Sequence, residues 1–184
     1  MATDRFVFLD RDGTIIEEVG YGHRLEDYAL LPGAIEALQK LRDAGFRFAI
    51  ITNQSGIGRG IFKREDYERY HGRLLDDLAR AEIRVEKTYM CPHAPADDCG
   101  CRKPKPVALR DARDRFGADL SRSWMIGDHV KDVQLAQNGG CNAILVLTGH
   151  GAEERVRLGS TPAVPVVDDL REAASFILEA ESAR

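Results

Sequence analysis

Apolar runs rich in β-branched and aromatic residues alternate along the chain with stretches of helical spacing. Arg5–Leu9 (RFVFL) predicts a buried strand. Gly33–Ala44 predicts an amphipathic helix with Ile35, Leu38 and Leu41 on one face and Gly45 as its stop. A strand over Phe46–Ile51 follows, then a helix over Arg64–Glu82 that repeats Tyr67, Tyr70, Leu74 and Leu78, then a strand over Val85–Met90. The second half predicts helices over Val107–Phe116, Val130–Asn138 and Asp169–Ala180, and strands over Ser123–Ile126, Ala143–Leu147 and Val164–Val167. Near-continuous apolar strands separated by helices predict a parallel sheet covered on both faces, a three-layer, doubly wound α/β fold. No repeat or linker interrupts it, so residues 1–184 read as one domain. Two connections, 11–32 and 91–105, exceed the usual length, and long connections in compact domains are commonly functional or metal-stapled.

In doubly wound sheets, ligands bind beyond the carboxyl ends of the strands. Asp10, Arg11, Asp12, Gly13 and Thr14 follow the first predicted strand, and Thr52, Asn53, Gln54, Ser55 and Gly56 follow the second. Asp128 follows Ser123–Ile126, with Asp132 one helical turn further on. Two carboxylates at i and i+2 with a third at another strand end suit Mg²⁺, which takes oxygen ligands and keeps several waters. Beside hydroxyl and amide donors and a lysine, such a site is equipped for phosphate. One carboxylate can attack phosphorus, and another can protonate the departing alkoxide and later deprotonate water. Taken alone, Asp-x-Asp reads equally well as a pair of turn-capping aspartates; the ordered set carries the chemistry.

Cys91, His93, Cys99 and Cys101 offer three thiols and an imidazole within eleven residues. That is a tetrahedral zinc set supplied wholly by protein, hence structural, a staple for the polar loop 91–103 that also positions Arg102 and Lys103. The alternative is free thiols in a flexible loop. Cys141 stands apart in an apolar run and reads as a small buried hydrophobe.

A net charge of −4 argues against a general nucleic-acid or anionic-membrane binder. No apolar run approaches the roughly 18 residues of a membrane span. The segment MATDRFVFLD turns acidic within four residues and lacks the order of a signal peptide, so a cytoplasmic protein is expected. Without coiled-coil heptads, a monomer is expected. Gly56–Gly60 lacks the Gly-Lys-Ser/Thr of a nucleotide-binding loop and reads as part of a substrate loop. His23, His71 and His150 read as surface or core residues, whereas His129 is equally placed to face the site or not. Trp124 reads as core, and the charges of Lys63–Arg84 as a solvated helix face.

FLDRDGTI (8–15), ITNQSGIGRG (51–60), CRKPKP (101–106) and IGDHVKD (126–132) resemble, in order and spacing, the four motifs of the haloacid dehalogenase-like phosphatases. The resemblance spans most of the chain. It implies Asp10 as nucleophile, Asp12 as general acid/base, and Mg²⁺ held by Asp10, the carbonyl of Asp12, and Asp128. It implies Thr52 and Lys103 as the grip on the phosphoryl group, with Asp132 acting through water or its neighbours. Many members carry a cap domain, but only 37 residues separate Thr14 from Thr52, and 54–101 hold one helix, one strand and the zinc loop. A cap-less member is therefore expected, its pocket shaped by 16–22 and 91–103.

Cap-less, zinc-stapled members with C-x-H…C-x-C-R-K-P act on heptose 1,7-bisphosphates or on histidinol phosphate. TNQSGIGRG, Gly20-Tyr21 and LLPGAIEAL are similar to the heptose group, and the short PHAPADDCGCRKPK loop is similar to the histidinol-phosphate group. By the first resemblance, Glu18, Val19, Gly20, Tyr21, Thr52, Asn53, Gln54, Ser55, Arg102 and Lys103 contact a phosphorylated sugar. A second phosphate would give Arg102 and Arg59 a purpose. A non-catalytic, zinc-bearing interaction module on the same fold is the reading of another class.

Overall fold

The computed structural model describes residues 4–159 and 164–183, so residues 1–3, where the reading of the N-terminal segment begins, lie outside it. Six parallel strands, β1 (Phe6–Leu9), β2 (Arg47–Asn53), β3 (Val85–Cys91), β4 (Trp124–Gly127), β5 (Asn142–Val146) and β6 (Val166–Val167), form a sheet ordered β3-β2-β1-β4-β5-β6. Side chains alternate between two cores. Val7, Leu9, Phe48, Ile50, Ile126 and Ile144 pack with α1 (Ala34–Asp43), α3 (Arg64–Arg80) and α7 (Leu170–Ser182). Phe6, Phe8, Ala49, Ile51, Met125 and Leu145 pack with α4 (Val107–Phe116) and α5 (Val130–Gly139). All four side chains of β1 are fully buried. Full burial of such a side chain contributes about 1.5–3 kcal/mol, so β1 is anchored from both faces and fixes the position of the residue that follows it.

Two short helices complete the fold, α2 (Ser55–Gly58) and α6 (Gly151–Arg157). Neither is evident from apolar periodicity. Both contain or begin at glycine, a poor helix former, and both are held by packing. A Cβ at Gly58 would lie 2.8 Å from Ala94 N and Pro92 O, and Gly58 N donates to Pro92 O at 2.8 Å. Only glycine lets α2 sit this close to the Cys91–Cys101 loop. The predicted strand Val164–Val167 shortens to Val166–Val167, whereas β2 and β3 extend to Asn53 and Cys91. Segment 11–32 is ordered locally. Arg11 O accepts from Ile15 N and Ile16 N, and Leu31 N donates to Ile15 O. Among the described residues, the carboxyl edge of the sheet is bordered by such loops, a single turn at Leu25–Asp27, and α2–α3, with no cap domain.

Candidate active site

The strand order reverses between β1 and β4, which makes a crevice at their carboxyl ends the favoured ligand site. Asp10 continues the ladder there, its N–H donating to Ile126 O at 2.9 Å. Its carboxylate accepts from Arg11 N at 2.7 Å and lies 2.8 Å from Lys103 Nζ. Lys103 is only 4% exposed. Its ammonium donates to Ile51 O at 2.8 Å and forms ion pairs with Asp10 at 2.8 Å and Asp132 at 2.7 Å. The Asn53 side chain brackets the Lys103 backbone, accepting from its N–H at 3.1 Å. Asp132, in the first turn of α5, also accepts from His129 N at 3.1 Å. Asp128 follows β4 and accepts from His150 N at 2.8 Å. A Cβ at Gly13, whose φ is +73°, would lie 2.2 Å from Asp128 Oδ2, so glycine is required where the two loops meet.

Three carboxylates thus face one ammonium, and one oxygen each from Asp10, Asp128 and Asp132 lies within 4.8 Å of the others. Burial pushes Asp10 up to about 6 and Asp128 up to about 8; Lys103 opposes the rise at both sites and neighbouring carboxylates add to it. Burial opposes charge on Lys103, but Asp10 and Asp132 outweigh it and raise its pKa. The cluster is short of positive charge and rich in hard oxygen donors, which fits Mg²⁺.

The carboxylate of Asp12 turns elsewhere. Arg11 Nη2 donates to both of its oxygens at 2.8 Å, and Gln54 Nε2 donates to Oδ2 at 2.8 Å and to Thr52 Oγ1 at 2.8 Å. Asp10, Asp12, Asp128, Thr52, Asn53, Gln54, Ser55, Arg102 and Lys103 all border a cleft of about 470 Å³, as do Glu18, Gly20 and Tyr21. Val19, 45% exposed, and Arg59 do not line it. His129, Lys131 and His150 do. His129 Nδ1 is 2.8 Å from Oε2 of the buried Glu154, on α6. The side chain of Arg11, the cleft-facing Lys131 and the backbone donor of His150 were missed by motif reasoning. Lys131 lies inside IGDHVKD, and His150 in a Thr-Gly-His-Gly run just past β5, a strand-end position that could have flagged it.

A second cluster adjoins the first along the chain. Cys91 Sγ lies 3.5 Å from Cys99 Sγ and 3.2 Å from Cys101 Sγ, and His93 Nδ1 lies 3.3 Å from Cys101 Sγ. Zn–S bonds of about 2.3 Å at tetrahedral angles place sulfurs about 3.8 Å apart, so the set fits zinc with slight expansion. Burial pushes the Cys91 thiol up to about 12, and its hydrogen bonds to Cys101 and Cys99 add to the rise. Arg102 Nη1 donates to His93 O at 3.1 Å, tying the loop to the cleft.

Residues 7–65 match the family model for haloacid dehalogenase-like hydrolases, and residues 100–173 a second model of HAD-hydrolase-like proteins. The chain is 38% identical over 177 residues to the D-glycero-beta-D-manno-heptose-1,7-bisphosphate 7-phosphatase of Pseudomonas aeruginosa, covering 94% of this chain and 97% of that protein. It is 35% identical over 158 residues to a D-glycero-alpha-D-manno-heptose-1,7-bisphosphate 7-phosphatase of Photorhabdus laumondii, covering 82% and 86%. The fold superposes with a TM-score of 0.88, at 33% identity and over 96% of this chain and 99% of the other, on the D,D-heptose 1,7-bisphosphate phosphatase of B. bronchiseptica, crystallised with magnesium and phosphate. The chain belongs to the haloacid dehalogenase-like hydrolases, as a cap-less relative of these heptose-bisphosphate phosphatases.

Proposed function

We propose that this chain is a Mg²⁺-dependent phosphatase that removes the 7-phosphate of D-glycero-D-manno-heptose 1,7-bisphosphate through an aspartyl-phosphate. The observation that carries the reading is Asp10, fixed at the switch point and braced by Lys103, beside Asp128 in a cleft whose relatives bear that activity. Asp10, Asp128 and the main-chain carbonyl of Asp12 would hold Mg²⁺. When bound, the ion neutralises charge on the phosphoryl oxygens.

The remaining steps belong to side chains. Thr52 and Lys103 hold the phosphoryl group in line with Asp10. An Asp10 oxygen forms a bond to phosphorus as the bond to the sugar oxygen breaks, and Asp12 gives that oxygen a proton. Asp12 then takes a proton from water, whose oxygen bonds to phosphorus as the bond between phosphorus and the Asp10 oxygen breaks. The products are the sugar alcohol and inorganic phosphate, with both aspartates restored.

Asp132 serves by holding Lys103. Lys131, pushed down by burial and then by Arg102, stands with Arg102 as a pair of neighbouring cations suited to the second phosphate. Zinc would be held by Cys91, His93, Cys99 and Cys101. We read residues 1–184 as one domain, monomeric and cytoplasmic; no described helix is long and apolar enough to cross a membrane.

The test is kcat/KM with Mg²⁺ on both anomers of the heptose bisphosphate and on histidinol phosphate. At least one anomer is expected to exceed histidinol phosphate by about 100-fold, because a subsite built for a second phosphate is left unpaired by a monophosphate. A higher value on histidinol phosphate overturns the substrate.

A further inference from the structure

Among the described residues, Arg11 is the largest fully buried side chain, at 0% exposure. Burying a guanidinium is costly unless it is well paired. Its pairing is lopsided. Nε and Nη2 both face Asp12, with Nε at 3.2 and 3.1 Å and Nη2 at 2.8 Å from the two oxygens. Nη1 has no hydrogen-bond partner among the described residues. The rings of Tyr67 and Tyr70, both on α3, flank the guanidinium at 5.1 and 5.2 Å. A charge in this position adds little stability over a well-packed apolar residue. A locally costly residue held in place beside reactive groups points to function.

We propose that Arg11 is the positioning residue for Asp12, its planar fork fixing the carboxylate at the angle from which it exchanges a proton with the leaving oxygen and then with water. The proposal rests on the reading of Asp12 as general acid/base. The fork presents two N–H groups to two oxygens, a match a lysine ammonium does not reproduce. The tyrosine cage fixes the fork in turn, and Gln54 adds one bond to Oδ2. Arg11 reaches both aspartates by separate routes: its backbone N–H donates to Asp10 Oδ1 and its side chain to Asp12. A side-chain substitution therefore removes the support of Asp12 and leaves the backbone bond to Asp10.

That separation supplies the test. Departure of a sugar alkoxide needs a proton, whereas p-nitrophenolate leaves without one. Kcat/KM covers only the steps through release of the leaving group, so slow hydrolysis of the phospho-enzyme does not enter. Arg11→Lys is expected to lower kcat/KM on the heptose bisphosphate about 10- to 100-fold, a part of the roughly 10²- to 10⁴-fold worth of a positioned acid. On p-nitrophenyl phosphate it should change kcat/KM by no more than about threefold. Tyr67→Leu, which opens one face of the cage, should show the same selectivity at about 3- to 10-fold. Equal losses on both esters, or no loss on the sugar ester, overturn the proposal.

Asp12→Asn separates this inference from its premise. If that variant lacks the ester selectivity, the acid/base reading of Asp12 fails; if it shows the selectivity and the Arg11 and Tyr67 variants do not, only the inference about Arg11 fails. Should neither of those two variants fold, side-chain ¹⁵N NMR decides on the wild type. The Arg11 Nε–H should exchange slowly and shift in Asp12→Asn, and a resonance that Asp12→Asn leaves in place overturns the proposal.

Discussion

The carboxylate cluster and the thiol–imidazole cluster meet the same electrostatic problem in opposite ways. Asp10, Asp128 and Asp132 crowd at the ends of two central strands and carry their own counter-charge in Lys103. One ammonium cannot balance three carboxylates, and Asp10 and Asp128 are pushed up accordingly, burial first. The cluster borders an open cleft, so substrate phosphate can share an ion with it. Cys91, His93, Cys99 and Cys101 have Lys105 only at the backbone oxygen of Cys99, 2.8 Å away, and bring together the four donors of a tetrahedral zinc set. The first arrangement suits turnover and the second suits permanence. Cys101, Arg102 and Lys103 are consecutive, so a zinc held at Cys101 would also fix the chain that carries the cation of the other cluster.

The largest effect should come from breaking the reactive cluster. Asp10→Asn keeps the shape of the side chain and removes the nucleophile, and kcat is expected to fall at least about 10⁴-fold. Incubation with ³²P-labelled substrate and acid quench should label the wild type and not the variant. Full activity in Asp10→Asn would move the nucleophile elsewhere and dissolve the contrast between the clusters.

Breaking the permanent cluster should cost less activity and more stability. Cys99→Ser is expected to take zinc from about one ion per chain to well below it, as read by elemental analysis. Tm should fall by roughly 5–10 °C, a loss of about 3 kcal/mol for a chain of this size. Kcat/KM should fall only about 10-fold, as is usual when a support of a reactive group loosens. Unchanged Tm with zinc lost would mean that the loop is held by α2 and Arg102 without an ion.

The strand ends that build the first cluster were legible because each follows a run of buried residues, and a polar residue at the mouth of such a run has few structural uses. The thiol set was legible from ligand type and spacing alone. The role of Arg11 was not, because its place after the first strand says nothing of its burial. Its burial depends on Tyr67 and Tyr70, distant in sequence and brought beneath it by α3. His150 reads as a surface or core residue, yet it lines the cleft and its backbone N–H holds Asp128. Backbone donors carry no sequence signature. Helix α6, which brings Glu154 to His129, has no strong apolar period because it is short and held by packing.

His71, buried on α3, sharpens the contrast by a third route, which is to stay neutral. It stacks on Tyr67 at 5.2 Å, and its Nε2 lies 2.8 Å from Oγ1 of Thr88, on the strand that ends at Cys91. Burial, then the charge of Arg11, lowers its pKa from 6.5 to about 4. The fold therefore favours the uncharged ring. Its contribution is complete above about pH 6.5 and drains away as pH falls toward 4. Between pH 7 and pH 5 the loss should be about 2 kcal/mol. Urea unfolding at the two values checks this against His71→Gln, which keeps a donor for Thr88 and cannot titrate. The carboxylates titrate alike in both proteins, so the drop in ΔG from pH 7 to pH 5 should be about 2 kcal/mol smaller in the variant. Equal drops would show that His71 takes a proton as readily in the fold as in the unfolded chain. The packing of Tyr67 and Thr88 around the ring would then tolerate charge.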